Sequence, residues 1–177
     1  MKIDDIRRSY TKDKLDADNL AADPIVQFEQ WLKDAIAAEL PDPTAMCVAT
    51  VDASGQPSQR LVLLKDVNSS GFTFYTNLGS RKASELAVNP KVSLHFPWHP
   101  LERQVIVYGT AERVPSSQVV KYFLSRPKES QLAAWASEQS RPISTRHALM
   151  QKFAEIKHKF AHGEVPLPSF WGGFLVK

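Results

Sequence analysis

The amino-acid sequence predicts an α+β fold, with an antiparallel β-barrel as its core and helices around it. Residues 44–77 and 92–114 are rich in β-branched and aromatic residues and are divided by short turn sequences, as expected for strands. Residues 23–43 and 116–163 carry helical patterns with capping residues instead. Five or more antiparallel strands with short turns are typical of a barrel or a sandwich, and 177 residues are enough for one such domain.

The first predicted element is a helix that begins after Asp23 and ends before Pro41 and Pro43. Asp23 is a favourable N-cap, and Pro24 suits the first helical position. Residues 1–22, which precede this helix, are polar and without periodicity, as is typical of a mobile terminal arm. Helical spacing predicts one apolar stripe, formed by Phe28, Trp31, Leu32, Ala35 and Ile36.

Residues 44–77 predict three strands with turns at 52–57 and 66–71, and residues 92–114 predict two more strands with a proline-rich link. Cys47 lies within the first strand, where we expect a buried and inert thiol.

The second half of the chain is predicted to be helical, with a break at Pro127. Ser144 is the expected cap of the last helix, and Gly163 is its expected stop. Residues 165–177 return to an extended chain. The three helices are expected over 116–127, 128–140 and 144–163.

The overall composition argues against several classes of protein. A net charge of +3 without a long basic stripe does not favour nucleic-acid binding, although it suits a protein that binds small anions. No apolar run is long enough for a membrane span, and the first residues lack the pattern of a signal peptide. Because Cys47 is the lone cysteine, no internal disulfide is expected, and we predict a cytoplasmic protein. The sequence shows no metal-ligand spacing, no Ser–His–Asp order and no glycine-rich nucleotide loop.

One short predicted helix begins with two cations, Arg81 and Lys82, directly after Ser80. A helix N-terminus already carries partial positive charge, so two cations there are unfavourable unless an anion is bound. A phosphate at this position would bond to the helix N–H groups and to both cations, with Thr76 and Ser80 donating hydroxyls. On the residues alone, solvated surface charge is the alternative.

Two further patterns are weaker. Tyr122, Arg126 and Ser130 recur every four residues and could hold a second phosphate from one helix face, although Pro127 interrupts the spacing and an ordinary amphipathic edge is the alternative. Strand alternation places Arg60 and Lys65 on opposite faces of one strand, where both could simply reach water. Three further polar residues are candidate site residues: Gln104 in a predicted strand, and Gln139 and Ser140 in a predicted polar loop.

Six stretches then resemble, in order, the pyridoxine/pyridoxamine 5′-phosphate oxidase family: RLVLLK, FYTNLGSRKA, FPWHPLERQVIVYG, KYFLSRP, AWASEQS and GEVPLPSFWGGF. The match runs from about Ile6 to Phe174, and six collinear segments are far more specific than any single motif. The resemblance implies an FMN-binding split β-barrel that works as a homodimer, with FMN in the cleft between subunits. It divides the chain into an N-terminal arm over 1–22 and one domain over 23–177.

The resemblance also implies roles for single residues. The flavin would lie along the strand formed by Arg60, Leu61, Val62, Leu63, Leu64 and Lys65. The flavin phosphate would be held by Tyr75, Thr76, Arg81 and Lys82 beside Ser80, with further flavin contacts from Gln104, Gln139 and Ser140. The substrate phosphate would be held by Lys65, Tyr122, Arg126 and Ser130. An arm that closes over the substrate would include Arg7, Arg8 and Tyr10, and this replaces the expectation of a mobile arm.

The implied reaction is oxidation of pyridoxine 5′-phosphate or pyridoxamine 5′-phosphate at C4′, with a hydride passing to the flavin. Oxygen then reoxidises the flavin, and the products are pyridoxal 5′-phosphate and hydrogen peroxide. This chemistry belongs to the flavin, so no catalytic side chain is assigned. Two alternatives stay open: a non-catalytic protein that binds FMN or pyridoxal phosphate, and an FMN reductase on the same barrel. The second phosphate clamp favours the oxidase over the reductase.

The family pattern continues beyond the stretch WGGF into strands that carry an Arg-x-His motif for the substrate and a Trp and an Arg for the flavin. These motifs do not occur before Lys177, so we expect a domain truncated at its C-terminus. For this form we expect weaker FMN binding and slower turnover.

Overall fold

The strands of this computed structural model form one curled antiparallel sheet of seven members within the described residues, which are 3–5, 7, 9–12, 15–137 and 139–177. The strands are β1 (Ala45–Val51), β2 (Pro57–Leu63), β3 (Asp66–Asn68), β4 (Gly71–Asn77), β5 (Lys91–Trp98), β6 (Arg103–Arg113) and β7 (Trp171–Val176). They run in the order β2-β1-β5-β6-β7-β4-β3, which makes a half-barrel and confirms the predicted antiparallel core.

Strand β6 joins the two halves of this sheet. Its residues 103–110 pair with β5, and its last residues, 111–113, pair with β7. One continuous strand therefore carries hydrogen bonds into both halves.

In the part of the chain that the structure describes, five helices flank the sheet, and their ends follow local capping chemistry. Asp23 caps α1, because its carboxylate accepts a hydrogen bond from the N–H of Ile25 at 2.7 Å. The helices are α1 (Pro24–Ala37), α2 (Arg81–Val88), α3 (Ser116–Ser125), α4 (Lys128–Ala136) and α5 (Arg146–Lys159). Two short 3₁₀ turns lie at Ala17–Asn19 and His99–Leu101.

The main core lies inside the curl of the sheet, where α1 covers it. Phe28 of α1 is the centre, with its ring 4.9 Å from the ring of Phe72, 4.8 Å from that of Phe96 and 5.6 Å from that of Trp98. Edge-to-face and tilted contacts at these distances add to the burial of aromatic surface. A second core lies under α3, α4 and α5, around Phe123, Leu132, Ala134 and Val165.

The structure corrects four local predictions. Residues 44–77 form four strands rather than three, because β3 occupies part of the predicted turn. Cys47 is not buried, since it lies on the outer face of β1 between the buried Met46 and Val48. Ile36 is 54% exposed because it lies beside, rather than on, the buried side of α1. Thr145 rather than Ser144 caps α5, with its hydroxyl accepting from the N–H of Ala148 at 3.1 Å.

Across the described part of the chain, none of the helices is both long and apolar enough to cross a bilayer.

Candidate functional site

A buried lysine lies where β4 meets the start of α2. Only 4% of Lys82 is exposed, and its Nζ donates to the Thr76 hydroxyl at 3.0 Å and to the Gln139 Oε1 at 2.8 Å. The Ser80 hydroxyl is 3.5 Å from the same Nζ. Ser80 is the fully buried N-cap of α2, and its side chain makes no capping bond. The structure therefore brings together three of the predicted flavin-phosphate residues, Thr76, Ser80 and Lys82. Gln139, predicted as a further flavin contact, joins them from 57 positions along the chain from Lys82.

The charge of Lys82 is only partly compensated. Burial, and to a smaller degree the nearby Arg60, lower the pKa of Lys82 to about 8, and the opposing effect of Glu85 is smaller than either. The hydrogen-bond acceptors described around Nζ are hydroxyl and amide oxygens, not carboxylates. A buried ammonium with neutral acceptors at a helix N-terminus is well suited to hold an anion.

A cleft lies beside Gln139, the residue whose Oε1 accepts the hydrogen bond from Lys82. Gln139 lines a cleft of about 270 Å³, whose other walls include Asn77, Gly79 and Arg141. Arg141 thus places a second cationic side chain in the cleft that Gln139 lines.

A separate network surrounds the buried carboxylate of Glu85. It accepts hydrogen bonds from Ser58 at 2.7 Å and Thr50, from Arg81 at 2.7 Å and from Arg60 at 3.2 Å. Burial alone would raise the pKa of Glu85, but the hydrogen bonds outweigh it and lower the pKa to about 2. Glu85 thus stays ionised and fixes the Arg60 side chain against β1 and β2.

Arg81 points away from Lys82. Its guanidinium is 56% exposed, bonds to Glu85 and lies 3.7 Å from an oxygen of Asp52. The two cations that the sequence places at the start of α2 therefore enter different environments. Arg81 is held by carboxylates, and Lys82 is the buried one.

A second cluster lies beside α3. The ring of Tyr75 stacks on the ring of Tyr122 with centroids 3.9 Å apart and an angle of 12° between the rings. The guanidinium of Arg126 lies 4.5 Å from the centre of the Trp171 ring. Within the described residues, Nη1 of Arg126 and Nε1 of Trp171 are buried without a hydrogen-bond partner. Two orphaned donors side by side point to an acceptor that binds between them.

The backbone here is not one continuous helix, so the four-residue spacing of the second clamp does not stack on one helix face. Helix α3 ends at Ser125, Arg126 is extended, and α4 begins after Pro127. Burial raises the pKa of Tyr122 and lowers the pKa of Arg126. Ser130 lies half-buried in α4.

Strand β2 presents two faces, as alternation predicts. Arg60, Val62 and Leu64 face inward, whereas Leu61, Leu63 and Lys65 are exposed. The six residues of this predicted flavin strand are therefore divided between the two sides of the sheet.

The remaining predicted residues lie at the surface. Gln104 is exposed on β6, and its Oε1 is 3.0 Å from Nε2 of His95. Ser140 is exposed at a φ of 66°, a left-handed conformation that is uncommon for serine. Arg7 and Tyr10 are exposed, and Arg8 lies outside the described residues. Among the residues that the structure describes, no group of three or more metal-ligating side chains occurs.

Sequence reasoning missed Glu85, Thr50 and Ser58, which hold Arg60 and Arg81. One signal was available, because Glu85 follows Arg81 by four residues, the spacing of a helical ion pair. The Thr50–Ser58 pairing depends on the register between β1 and β2, which no local pattern in the sequence specified.

Solved structures place the fold in a known class. PhzG from Burkholderia lata 383, solved with tetrahydrophenazine-1-carboxylic acid, is 26% identical and superposes with a TM-score of 0.86 over 93% of this chain and 82% of that one. A pyridoxamine 5′-phosphate oxidase-related, FMN binding protein from Nostoc punctiforme PCC 73102 has the same fold, with a TM-score of 0.69, 13% identity and coverage of 89% and 82%. The chain is therefore a split-barrel protein.

Sequence comparison then specifies the family. The family described as pyridoxamine 5′-phosphate oxidase matches residues 32–160. The pyridoxine/pyridoxamine 5′-phosphate oxidase of Pseudoalteromonas translucida (strain TAC 125) is 66% identical over 99% of this chain and 83% of that protein. The protein of the same name from Vibrio atlanticus (strain LGP32) is 63% identical over 100% of this chain and 84% of its own length. The chain belongs to the pyridoxine/pyridoxamine 5′-phosphate oxidase family and is an oxidoreductase.

Proposed function

We propose that this chain binds FMN and oxidises pyridoxine 5′-phosphate or pyridoxamine 5′-phosphate at C4′ to pyridoxal 5′-phosphate. Oxygen accepts the two electrons and becomes hydrogen peroxide, and the amine substrate also takes up water and releases ammonia. When bound, FMN supplies the hydride-accepting and oxygen-reducing chemistry. The protein supplies binding, orientation and electrostatics.

The observation that carries this proposal is the environment of Lys82. Its ammonium is buried, is held by Thr76 and Gln139, and lies at the start of α2. The terminal phosphate of FMN fits this set, because it would accept charge-assisted bonds from Nζ and bonds from hydroxyl and backbone donors. We assign to Arg60 the role of a fixed neighbouring cation, held in place by Glu85.

A second observation favours a phosphorylated substrate. The Arg126 guanidinium has a buried Nη1 without a partner in the described structure, beside the stacked pair of Tyr75 and Tyr122. An arginine fork is well suited to a phosphate group, and the phenol of Tyr122 can donate to it as well. We assign Arg126, Tyr122, Ser130 and Lys65 to the substrate phosphate. Arg7, Arg8 and Tyr10 would close over the substrate from the arm.

The outer face of the sheet supports the proposed homodimer. Leu61, Cys47, His95 and Ile106 form one row across β2, β1, β5 and β6. Leu61 is 75% exposed, and the nearby Tyr108 on β6 is 80% exposed. Exposed apolar residues gathered on one face of a sheet, here Leu61, Ile106 and Tyr108, are typical of an interaction site. We infer that a second copy of the chain covers it, with Gln104 at the edge of the interface.

The sharpest test of the flavin-phosphate site compares FMN with riboflavin, which lacks the phosphate. Lys82→Met keeps the length of the side chain and removes its charge, so we expect the Kd for FMN to rise at least about tenfold. Riboflavin affinity should stay unchanged. Lys157→Met, at an exposed position on α5, is the matched control and should alter neither value. An equal loss of affinity for both flavins would contradict the assignment.

An aerobic assay with pyridoxine 5′-phosphate separates the three candidate functions. Formation of the aldehyde and of peroxide supports the oxidase. Flavin binding without turnover would indicate a binding protein, and oxidation of an added electron donor alone would indicate a reductase.

A further inference from the structure

The carboxylate of Glu102 fastens the segment before α1 to the β5–β6 hairpin. One oxygen of Glu102 accepts hydrogen bonds from the backbone N–H of Thr11 at 2.8 Å and from that of Lys12 at 2.9 Å. These bonds join parts of the chain that are 90 and 91 residues apart. Glu102 has a φ of 54°, a left-handed conformation that directly follows the 3₁₀ turn at His99–Leu101.

The same segment is fastened again close to α1. The N–H of Ala21 donates to Oε1 of Gln27 at 2.8 Å. Between these two anchors, the turn at Ala17–Asn19 is stabilised by Asp16, whose carboxylate accepts from the N–H of Asp18. The chain is therefore tied to the domain at residues 11 and 12, the outer anchor, and again at residue 21.

The outer anchor borders a large cleft. This cleft has a volume of about 480 Å³, and its walls include Asp16 and Asn19 of the segment, Trp31 of α1, and Glu102 and Gln104 of the hairpin. Gln104 is one of the residues assigned above to the flavin. The carboxylate that holds the segment thus lies two residues from a proposed flavin contact and lines the same cleft.

We propose that Glu102 is a positioning residue, which holds the N-terminal arm so that Arg7 and Tyr10 stay near the substrate. This proposal rests on the proposed function. With the contact intact, Arg7 lies four residues from the backbone anchor at Thr11; the other backbone anchor described above, at Ala21, lies fourteen residues from Arg7. Because loop closure follows the three-halves power of chain length, the effective concentration of Arg7 at the site should fall about sevenfold.

The proposed role predicts which kinetic constant changes. The arm contributes binding contacts rather than reacting atoms, so loss of the anchor should raise KM about sevenfold and change kcat less than about twofold. The flavin phosphate site around Lys82 does not include Glu102, so the Kd for FMN should not change.

Glu102→Gly is the informative variant, because glycine adopts a positive φ without strain and the carboxylate is removed. We expect faster hydrogen exchange at the amides of Thr11 and Lys12, a raised KM for pyridoxine 5′-phosphate and no loss in the urea unfolding midpoint. Glu102→Gln keeps an oxygen acceptor, so its exchange rates at Thr11 and Lys12 and its KM should lie between those of the wild type and those of Glu102→Gly. Glu39→Gly is the matched control, since Glu39 is exposed and also has a left-handed φ of 51°. It should leave exchange at Thr11 and Lys12 and the KM unchanged.

Each readout tests a different step. Unchanged exchange at Thr11 and Lys12 in Glu102→Gly would overturn the anchor itself. Faster exchange with an unchanged KM would overturn the positioning role. If the wild-type chain bound FMN but oxidised no phosphorylated substrate, the proposed function would fail, while exchange would still decide whether Glu102 anchors the arm.

Discussion

Lys82 and Glu85 lie within one turn of α2, and both are buried, yet their side chains belong to separate networks. Lys82 contacts neutral oxygens, whereas Glu85 collects two arginines and two hydroxyls. If the two side chains paired with each other, the lysine would be neutralised. The arrangement instead keeps one cation available for an anion, with the acid occupied elsewhere.

The low pKa of Lys82 predicts that phosphate binding is linked to a proton. A bound phosphate favours the charged amine, so affinity should be highest below about pH 8 and should fall as the pH rises through that value. The phosphate of FMN is already a dianion above about pH 7, since its second pKa is about 6. Titration of FMN binding from about pH 7 to about pH 10 measures the effect.

Arginine at the same position provides the comparison. Lys82→Arg stays charged over this range, so its FMN affinity should show no midpoint near pH 8. Identical pH profiles for wild type and Lys82→Arg would show that another group titrates.

The residue scale also shows what the sequence could not reveal. The sequence singles out Arg81 and Lys82 as a pair, but only the fold shows that one is buried and the other is held by carboxylates. Gln139 reaches Lys82 from the loop between α4 and α5, and no spacing rule connects the two positions. The candidate site was thus predicted by resemblance to a family, whereas its electrostatics required the three-dimensional arrangement.

Elements were predictable where one physical rule dominated. Strand alternation gave the correct faces of β2, and the Asp23–Pro24 pair gave the correct start of α1. Strand β3 was missed because three residues are too few to show alternation. The clamp spacing from Tyr122 to Ser130 failed as a helix face because Arg126 adopts an extended conformation before Pro127.

Packing between β4 and β7 depends on a glycine beside the aromatic stack. A Cβ added at Gly173 would lie 2.8 Å from the Tyr75 ring and 3.1 Å from the Phe74 carbonyl oxygen. Because Tyr75 is stacked on Tyr122, its ring cannot move without disturbing the proposed substrate cluster. We expect Gly173→Ala to lower the free energy of unfolding by about 1–3 kcal/mol, measured by urea denaturation.

Two further measurements distinguish local packing from a general effect. Ser169→Ala, an exposed position just before β7, should leave stability nearly unchanged. The KM for the phosphorylated substrate should rise in Gly173→Ala but not in Ser169→Ala. Wild-type stability in Gly173→Ala would mean that the neighbouring ring adjusts without cost.

At the scale of the whole molecule, the exposed sheet face predicts the oligomeric state. We expect sedimentation to give about twice the chain mass of 19.9 kDa. Tyr108→Asp places a charge on the proposed interface and should weaken the dimer at least about 100-fold, because a desolvated charge without a partner is unfavourable there. If FMN binds between subunits, the Tyr108→Asp protein should also retain less flavin than the wild type.

Val26→Asp is the control for that substitution. Val26 is also an exposed apolar residue, but it lies in the first turn of α1, where an acidic residue is favourable. The mass of the Val26→Asp protein in sedimentation should equal that of the wild type. A wild-type monomer, or a Tyr108→Asp protein that remains dimeric, would contradict the assigned interface.

The continuity of β6 has a consequence for how the protein unfolds. Strand β6 bonds to β5 along most of its length and to β7 at its end. The β2-β1-β5 side of the sheet therefore cannot separate from the β7-β4-β3 side without breaking hydrogen bonds of β6. The two halves should therefore melt as one cooperative unit rather than as independent subdomains. Protection of the β6 amides from hydrogen exchange would then report global unfolding. The substrate cluster at Trp171 would unfold in the same transition as the sheet face that carries Gln104.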